Sequence, residues 1–543
     1  MRKGIVLQLI SLLLALALLT ACGAEQTAAA PAETQAPAEE GSGILNGEPP
    51  AVRQSADRVF SLNYDPDAPI NPVRAESSAN MQFWSLLYDS VFTVDEDFSV
   101  RSDVVREIRT EDNLWWVFDL NEDICFSDGT PLTAQDVVYS IQRAAQTDYY
   151  RERLRIIYGI SALSANCFAV TTAYADSQFP ALLNIPIIKS GDYFEDRPLG
   201  SGPYRLNAGG NALVPNPYSR YADELPLRMI FLRDYMDTSA RITAFEDASI
   251  DIVTNDPTGM YNLGYGSSSE KRYYDTTNMH FLGFNMRSMY FQFFRARYAL
   301  GYAIDREKIV DGLMGGCGVV ATLPVHPRSS LYDSSYAATL NFDPVKSAAL
   351  FDAAGIGDLD NDGALEILVT GIIVELDIKF IVNNDSTVKV EAARQICRQL
   401  NAMGITTKLW ELSWDDYLEA LETGDYDMYY GEVRLGADWD LSYLFKLPVG
   451  TGKDRDIGRN YAQNTDEAYC QLYADYLAAP ESERYDAFQT ICRYITEGGA
   501  ILPICFERRE ILTHRGVVSG ISATQFDLFH DFTNWTVNLE GTT

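Results

Sequence analysis

The spacing of apolar positions divides the chain into three regimes. Ile5 to Leu19 is an almost unbroken apolar run, residues 23 to about 50 contain no aromatic side chain, and from about Ala51 onward apolar residues recur with the periods of strands and helices. The segment Leu114-Trp115-Trp116-Val117-Phe118-Asp119-Leu120 has a polar residue on either side and predicts a strand. A turn follows at Ser127-Asp128-Gly129-Thr130-Pro131, and the residues after Thr133, Ala134 to Ile141, place apolar side chains at helical spacing. Thr133 with Asp136 is close to a capping box, in which the hydroxyl accepts from free amides of the first turn and the acid favours the positive helix end.

Further on, strands and helices alternate. Val390 to Met403 sets Ala393, Ile396, Leu400 and Met403 on one helix face, Gly404 ends that helix, and Ile405 to Leu412 predicts a strand. Ser413 caps a helix over Trp414 to Glu422, Gly424 closes it, and Tyr426 to Val433 predicts another strand. Strand-helix-strand units of this length imply parallel pairing with right-handed crossovers, hence an α/β domain. The sequence shows no internal repeat and no coiled-coil pattern.

The N-terminus is an export signal by its layout: Arg2 and Lys3, the apolar run, then Thr20-Ala21-Cys22-Gly23. The run is about 15 residues, short of the roughly 20 that span a bilayer. Leu19-Thr20-Ala21-Cys22 resembles the bacterial lipobox, which implies a signal peptide over 1–21 and an acylated Cys22 at the outer face of the cytoplasmic membrane. Residues 22–50 then form a disordered tether, since their Ala, Glu, Pro, Thr and Gln content cannot bury a core. The body of about 490 residues exceeds what one core holds, so two or three domains are expected.

Composition narrows the function. A formal net charge of −33 argues against nucleic acid as a partner. Beyond Cys22, Cys125, Cys167, Cys317, Cys397, Cys470, Cys492 and Cys505 are odd in number and lack short paired spacings, a poor disulfide framework; they read as small buried hydrophobes. His280, His326, His514 and His530 lie far apart along the chain, which argues against a histidine-built metal site, and no cofactor is expected. Asp358-Leu359-Asp360-Asn361-Asp362-Gly363 mimics the start of a calcium loop, but the twelfth position is Val369, so a tight turn is the better account. There is no GxSxG elbow and no HExxH; Gly200-Ser201-Gly202 has the wrong spacing for a nucleophile turn, so no enzyme is expected.

Six strings in collinear order carry a resemblance: LLYDSVFTVDEDFSVRSDVV (86–105), FSDGTPLTAQDVVYSIQRA (126–144), PLGSGPYRL (198–206), FLGFNMRSMYFQFFRARYALGYAIDREKIVDGLMGG (281–316), FDPVKSAALFDAAG (342–355) and GDYDMYYGEVRLGADWDLSYLF (424–445). Together they resemble the family 5 solute-binding proteins, the oligopeptide, dipeptide and nickel class of ABC transporter receptors. The chain departs from the family at Tyr290 to Phe294, at Arg297-Tyr298-Ala299, and at Asp438-Trp439-Asp440-Leu441, where a proline-containing pattern is usual.

The resemblance implies an α/β, two-lobed periplasmic-binding-protein-like fold of type II, with a hinge and a smaller extra domain on the first lobe. The expected partition is lobe I at 51–80, 190–284 and 501–543, the accessory domain at 81–189, and lobe II at 285–500. It also implies a monomeric receptor that captures peptides and delivers them to permease subunits driven by cytoplasmic ATPases; the alternative is a nickel chelate, haem or another non-peptide solute. A receptor for varied peptides reads backbone amides and charged termini. By family position Asp438 is the candidate partner of the α-ammonium, with Asp440 second, and Arg434 the cation for a carboxylate. Trp439, Trp410, Tyr88 and Tyr204 are candidate cleft walls, and Asn285 a strand-end contact.

Overall fold

Two long strands set the architecture. Ser269–Phe284 and Ile501–His514 run antiparallel, from Ser269 opposite His514 to Gly283 opposite Ile501. The first half of Ser269–Phe284 alternates between exposed and half-buried positions, whereas Asp275 to Phe284 is buried throughout. A strand covered on both faces no longer needs alternation, so the change marks where it enters the interior. There the register slips: Asp275 faces Arg508 but Met279 faces Phe506. Four steps along one strand meet two along the other, and the extra residues bend the ladder.

The computed structural model describes residues 59–258, 265, 269–445, 460–462, 467–498 and 501–539. The chain divides into the units Met1–Pro50 and Ala51–Thr543. The export signal, Cys22 and the tether lie outside the described residues. Among the described residues no helix is long and apolar enough to cross a membrane.

The sheet built on the two long strands has the order Ile252–Asn255, Ile501–His514, Ser269–Phe284, Met428–Arg434, Asp377–Asn383, Thr406–Leu412, with Gly318–Val320 also pairing to Ile501–His514. Asp377–Asn383 pairs parallel with both of its neighbours, as strand-helix-strand connections require. The helices between them are Thr387–Asn401 and Trp414–Thr423. The first begins three residues before Val390 because the Ser386 hydroxyl caps it, accepting from the Lys389 amide at 3.4 Å. Gly404, at φ +81°, lets the chain leave that helix where a β-carbon would meet the Gly363 carbonyl at 2.5 Å.

Two further sheets lie to one side. Phe60–Asn63, Ile230–Arg233, Ala212–Pro215 and Tyr204–Leu206 form one, and Val105–Arg109, Trp115–Leu120, Cys167–Thr172 and Ile157–Ser164 form an antiparallel other. The helix Ala134–Ala144 buries Ala134, Val137, Val138, Ile141 and Ala144, the face its sequence spacing defines. Its capping box is complete. Asp136 accepts from the Thr133 amide at 2.9 Å and hydroxyl at 2.6 Å, and its other oxygen accepts from the Ser190 amide at 2.8 Å. No disulfide joins the described cysteines, and Cys317, Cys397, Cys492 and Cys505 are buried.

Residues 92–98, 113 and 176–178 pack against the part of the chain that carries the Met428–Arg434 strand. The Asn113 amide donates to the carbonyls of Leu477, Ala478 and Ala479 at 3.4, 3.3 and 3.1 Å, satisfying the end of the helix Glu467–Ala478. The Ser177 amide donates to the Leu477 carbonyl at 2.7 Å. Phe98 meets His326 and Trp439 with ring centroids 4.8 and 5.0 Å apart.

Asp136→Ala should leave two partly buried amides and a hydroxyl without their acceptor and cost about 1–3 kcal/mol. Thermal unfolding should show the loss, with Asp136→Asn recovering part of it.

Candidate functional site

A cavity of about 550 Å³ opens on the face of the sheet. Its floor is Tyr429 to Arg434 with Phe281, and its walls come from the helices Thr387–Asn401 and Trp414–Thr423, which supply Lys389, Trp414, Tyr417 and Leu421. Side chains two apart on a strand share a face, so Glu432 and Arg434 both look into it. Gly431 keeps the floor low, since a β-carbon there would lie 2.5 Å from the Phe281 ring. Lys389 pairs with Glu432 at 2.5 Å and approaches Asp385 at 3.9 Å. Glu432 beside it raises the Lys389 pKa in spite of burial, which keeps the cation charged.

Beyond Arg434 the chain turns sharply at Gly436 to Trp439, closed by the Trp439 amide donating to the Gly436 carbonyl at 3.2 Å. Trp439 has φ +58°, rare for a large side chain, and only 2% of its surface is exposed. Its ring sits between Phe98 at 5.0 Å and Phe506 at 5.9 Å, so it joins three separate segments of the chain.

Asp438 is buried next to two other carboxylates, Asp440 and Asp176. Burial, then the charges of Asp440 and Asp176, push its pKa up to about 8. Burial also raises Asp176 to about 6. Among the described residues no ion pair reaches Asp438; Arg153 interacts with it only at longer range, and the Arg153 guanidinium donates instead to the Asn184 carbonyl at 2.8 Å. The Tyr476 hydroxyl close by is buried and has no hydrogen-bond partner among the described residues. These acids lie outside the lining of the cavity, and a cation brought among them would favour their charged forms.

The other residues expected from the sequence fall in different places. Arg434 is exposed and lines the cavity. Trp410 is half exposed on the Thr406–Leu412 strand with Lys379 over its ring at 4.8 Å, and it is Trp414 that walls the cavity. The Asn285 amide donates to the carbonyls of Gly424 and Tyr426 at 3.0 and 2.9 Å, tying down the turn before the Met428–Arg434 strand. The hydroxyl of Tyr88 donates to the Pro198 carbonyl at 3.1 Å and that of Tyr204 to the Leu227 carbonyl at 2.8 Å, both inside the core. Around Tyr88 the chain 200–202 presses so close that a β-carbon on Gly200 would lie 2.1 Å from the Leu87 carbonyl, which is why that turn is rich in glycine.

Sequence reasoning missed Asp176, Asp385, Lys389, Glu432 and Trp414. Strand alternation offers Glu432 as the same-face neighbour of Arg434; nothing local to Tyr174-Ala175-Asp176 points to Asp438, more than two hundred residues away. Asp358, Asp360, Asp362 and Glu366 converge at the tip of the hairpin formed by Ile356–Gly357 and Glu366–Val369. Asp358 there accepts from the amides of Asp362 and Gly363 at 3.0 and 3.2 Å, a tight turn closed by its own carboxylate.

Charge removal at Asp438 has a definite sign. A carboxyl whose pKa is raised in the folded state binds more protons folded than unfolded, so stability falls as pH rises from 3.8 to about 8. Asp438→Asn should therefore raise the unfolding temperature above pH 8 and leave it nearly unchanged at pH 4, measured by thermal melts across that range.

Comparison with known proteins agrees with this architecture. Residues 103–454 match the model of the bacterial extracellular solute-binding proteins, family 5 middle region. The chain is 23% identical over 466 residues to the oligopeptide-binding protein AppA of Bacillus subtilis, covering 81% of this chain and 82% of that one. Its fold resembles the unliganded open form of the murein tripeptide binding protein MppA, with a TM-score of 0.72 at 17% identity over 90% of this chain and 99% of the other. It also resembles NikZ from Campylobacter jejuni in complex with Ni(L-His), with a TM-score of 0.59 at 18% identity over 88% and 99%. These relatives are substrate-binding transport proteins with a two-lobed type II fold. The chain belongs to the family 5 extracellular solute-binding proteins of ABC importers.

Proposed function

We propose that the protein captures peptides outside the cell and hands them to a membrane permease. The observation that carries this reading is Asp438, a buried carboxylate beside Asp440 and Asp176 with no ion pair among the described residues. An α-ammonium reaching these acids would return the carboxylates to their charged form and gain a strong, charge-assisted contact. Arg434, on the same stretch of chain and open to the cavity, is placed to meet an acidic group. Trp414, Tyr417 and Tyr429 would cover apolar side chains with little loss of rotamer entropy. AppA, named as an oligopeptide-binding protein, supports the solute class.

On this reading lobe I comprises 51–80, 190–284 and 501–543, the accessory domain 81–189 and lobe II 285–500, and the monomer closes about the 275–279 and 506–508 crossing. Acylated Cys22 and the 22–50 tether hold it at the outer face of the membrane, beside permease subunits with cytoplasmic ATPases. Labelled palmitate should be incorporated into the wild-type protein in a bacterial host; its absence there, or equal labelling of Cys22→Ala, would remove the anchor.

Denaturing the purified protein and analysing what is released by mass spectrometry should yield short peptides. By calorimetry those peptides should bind at least tenfold more weakly to Asp438→Asn, and N-acetylated versions should lose comparable affinity on the wild type. Release of a sugar or a metal complex with no peptide would overturn the peptide reading, and equal affinity in the variant would remove Asp438 from it.

A further inference from the structure

On the sheet next to the cavity lies a second polar cluster that the reading above leaves unused. His280 and Glu432 are direct partners across the pairing of Ser269–Phe284 with Met428–Arg434. Glu507, from the Ile501–His514 strand, completes the group: one ligand atom each from His280, Glu432 and Glu507 all lie within 4.8 Å of one another. We propose that His280, Glu432 and Glu507 bind a divalent transition-metal ion on the floor of the cavity. An imidazole with two carboxylates is a donor set that suits zinc, nickel or cobalt.

Two observations favour an ion over a merely structural contact. The His280 Nε2 and Glu507 Oε1 now form a hydrogen-bonded pair 2.8 Å apart, which a small separation would open to an ion held at about 2.0–2.2 Å from each. The groups behind the donors are already in place: His280 Nδ1 meets the Tyr430 hydroxyl at 2.8 Å, and the second Glu507 oxygen accepts from the Asn278 amide at 2.8 Å. Such partners fix the tautomer and orientation of a metal ligand. Finally, the cluster is rich in negative charge. His280 and Glu507 are almost wholly buried, whereas Glu432 reaches the cavity, where Lys389 pairs with it and Asp385 stands within 3.9 Å of the same lysine. In this arrangement Lys389 occupies the position of a resident cation. An arriving ion would take Glu432, and Lys389 would turn toward Asp385.

The histidines' separation along the sequence does not bear on this site, which needs only one of them. Of the three donors Glu432 alone lines the cavity, so a chelating solute would complete the shell from the Glu432 side. The assignment itself is independent of which solute the receptor carries.

The test uses purified protein without a histidine tag, stripped with chelator and titrated with zinc or nickel chloride. The wild type should take up one equivalent, and its unfolding temperature should rise with metal concentration. Glu432→Gln, which changes a partly exposed side chain and spares the buried pair, should weaken binding at least tenfold, while Lys389→Met should strengthen it roughly tenfold by removing the competing cation. His280→Gln should abolish it. No uptake by the wild type, or uptake that Glu432→Gln and Lys389→Met both leave unchanged, overturns the proposal. Since peptide binding is read separately at Asp438, failure here leaves that reading standing.

Discussion

The register between Ser269–Phe284 and Ile501–His514 is the constraint on which the rest depends. It joins segments more than two hundred residues apart, and it changes phase between Asp275 and Met279. Every backbone group displaced by that slip needs another partner. Thr277 donates its amide to Gln525 at 2.9 Å and its hydroxyl to the Leu435 carbonyl at 2.6 Å, and the Thr276 hydroxyl donates to the Glu507 carbonyl at 2.8 Å. Side chains thus replace the missing ladder bonds at the crossing. The same slip sets which side chains of Ile501–His514 meet this strand, since one further step would turn Glu507 away from His280.

Two other buried acids are held by hydrogen bonds from their surroundings. Asp251 accepts from the Ser61 amide at 2.7 Å, and Asp527 accepts from the Ser85 hydroxyl at 2.5 Å and the Phe529 amide at 2.9 Å. Asp438 differs because its nearest charged neighbours include two other acids, so its burial is unfavourable in the empty protein. A fold optimised for stability alone would place an amide or an apolar side chain there. Trp439, held at positive φ and packed between Phe98 and Phe506, is the neighbour of Asp438 in sequence, so backbone strain and a carboxyl whose charged form is disfavoured occur in two adjacent residues.

Local structure was legible in the sequence because its causes are local. Thr133 and Asp136 specify a helix start by reciprocal hydrogen bonds, and Ser413 and Gly424 bound a helix by a cap and a left-handed exit, so those elements appear where the spacing places them. The candidate site was legible only in part. Asp438 could be named from its place in a string that resembles the family, but its carboxylate neighbour Asp176 comes from a part of the chain with no pattern of its own. Aromatic residues mislead for a related reason. Tyr88, Tyr204, Tyr417 and Trp414 have similar composition and context in sequence, and what separates core from cavity is where each hydroxyl or ring finds its partner, a property of pairing over long distances.

The cavity's polarity comes largely from one strand. Met428–Arg434 is buried except at Glu432 and Arg434, which alternate with Val433 and so project to the same side. Two residues apart, they present opposite charges to the space above the sheet: Glu432 with its lysine at one point, Arg434 without a rigid frame at the next. A solute lying along this strand meets a negative and then a positive group at a spacing of about 7 Å, two strand residues. That spacing is close to the repeat of an extended peptide, so the backbone geometry that builds the sheet also supplies a ruler for a chain laid against it. On the proposed peptide reading, selectivity for side chains would fall to the helices Thr387–Asn401 and Trp414–Thr423, which wall the cavity with Lys389, Trp414, Tyr417 and Leu421.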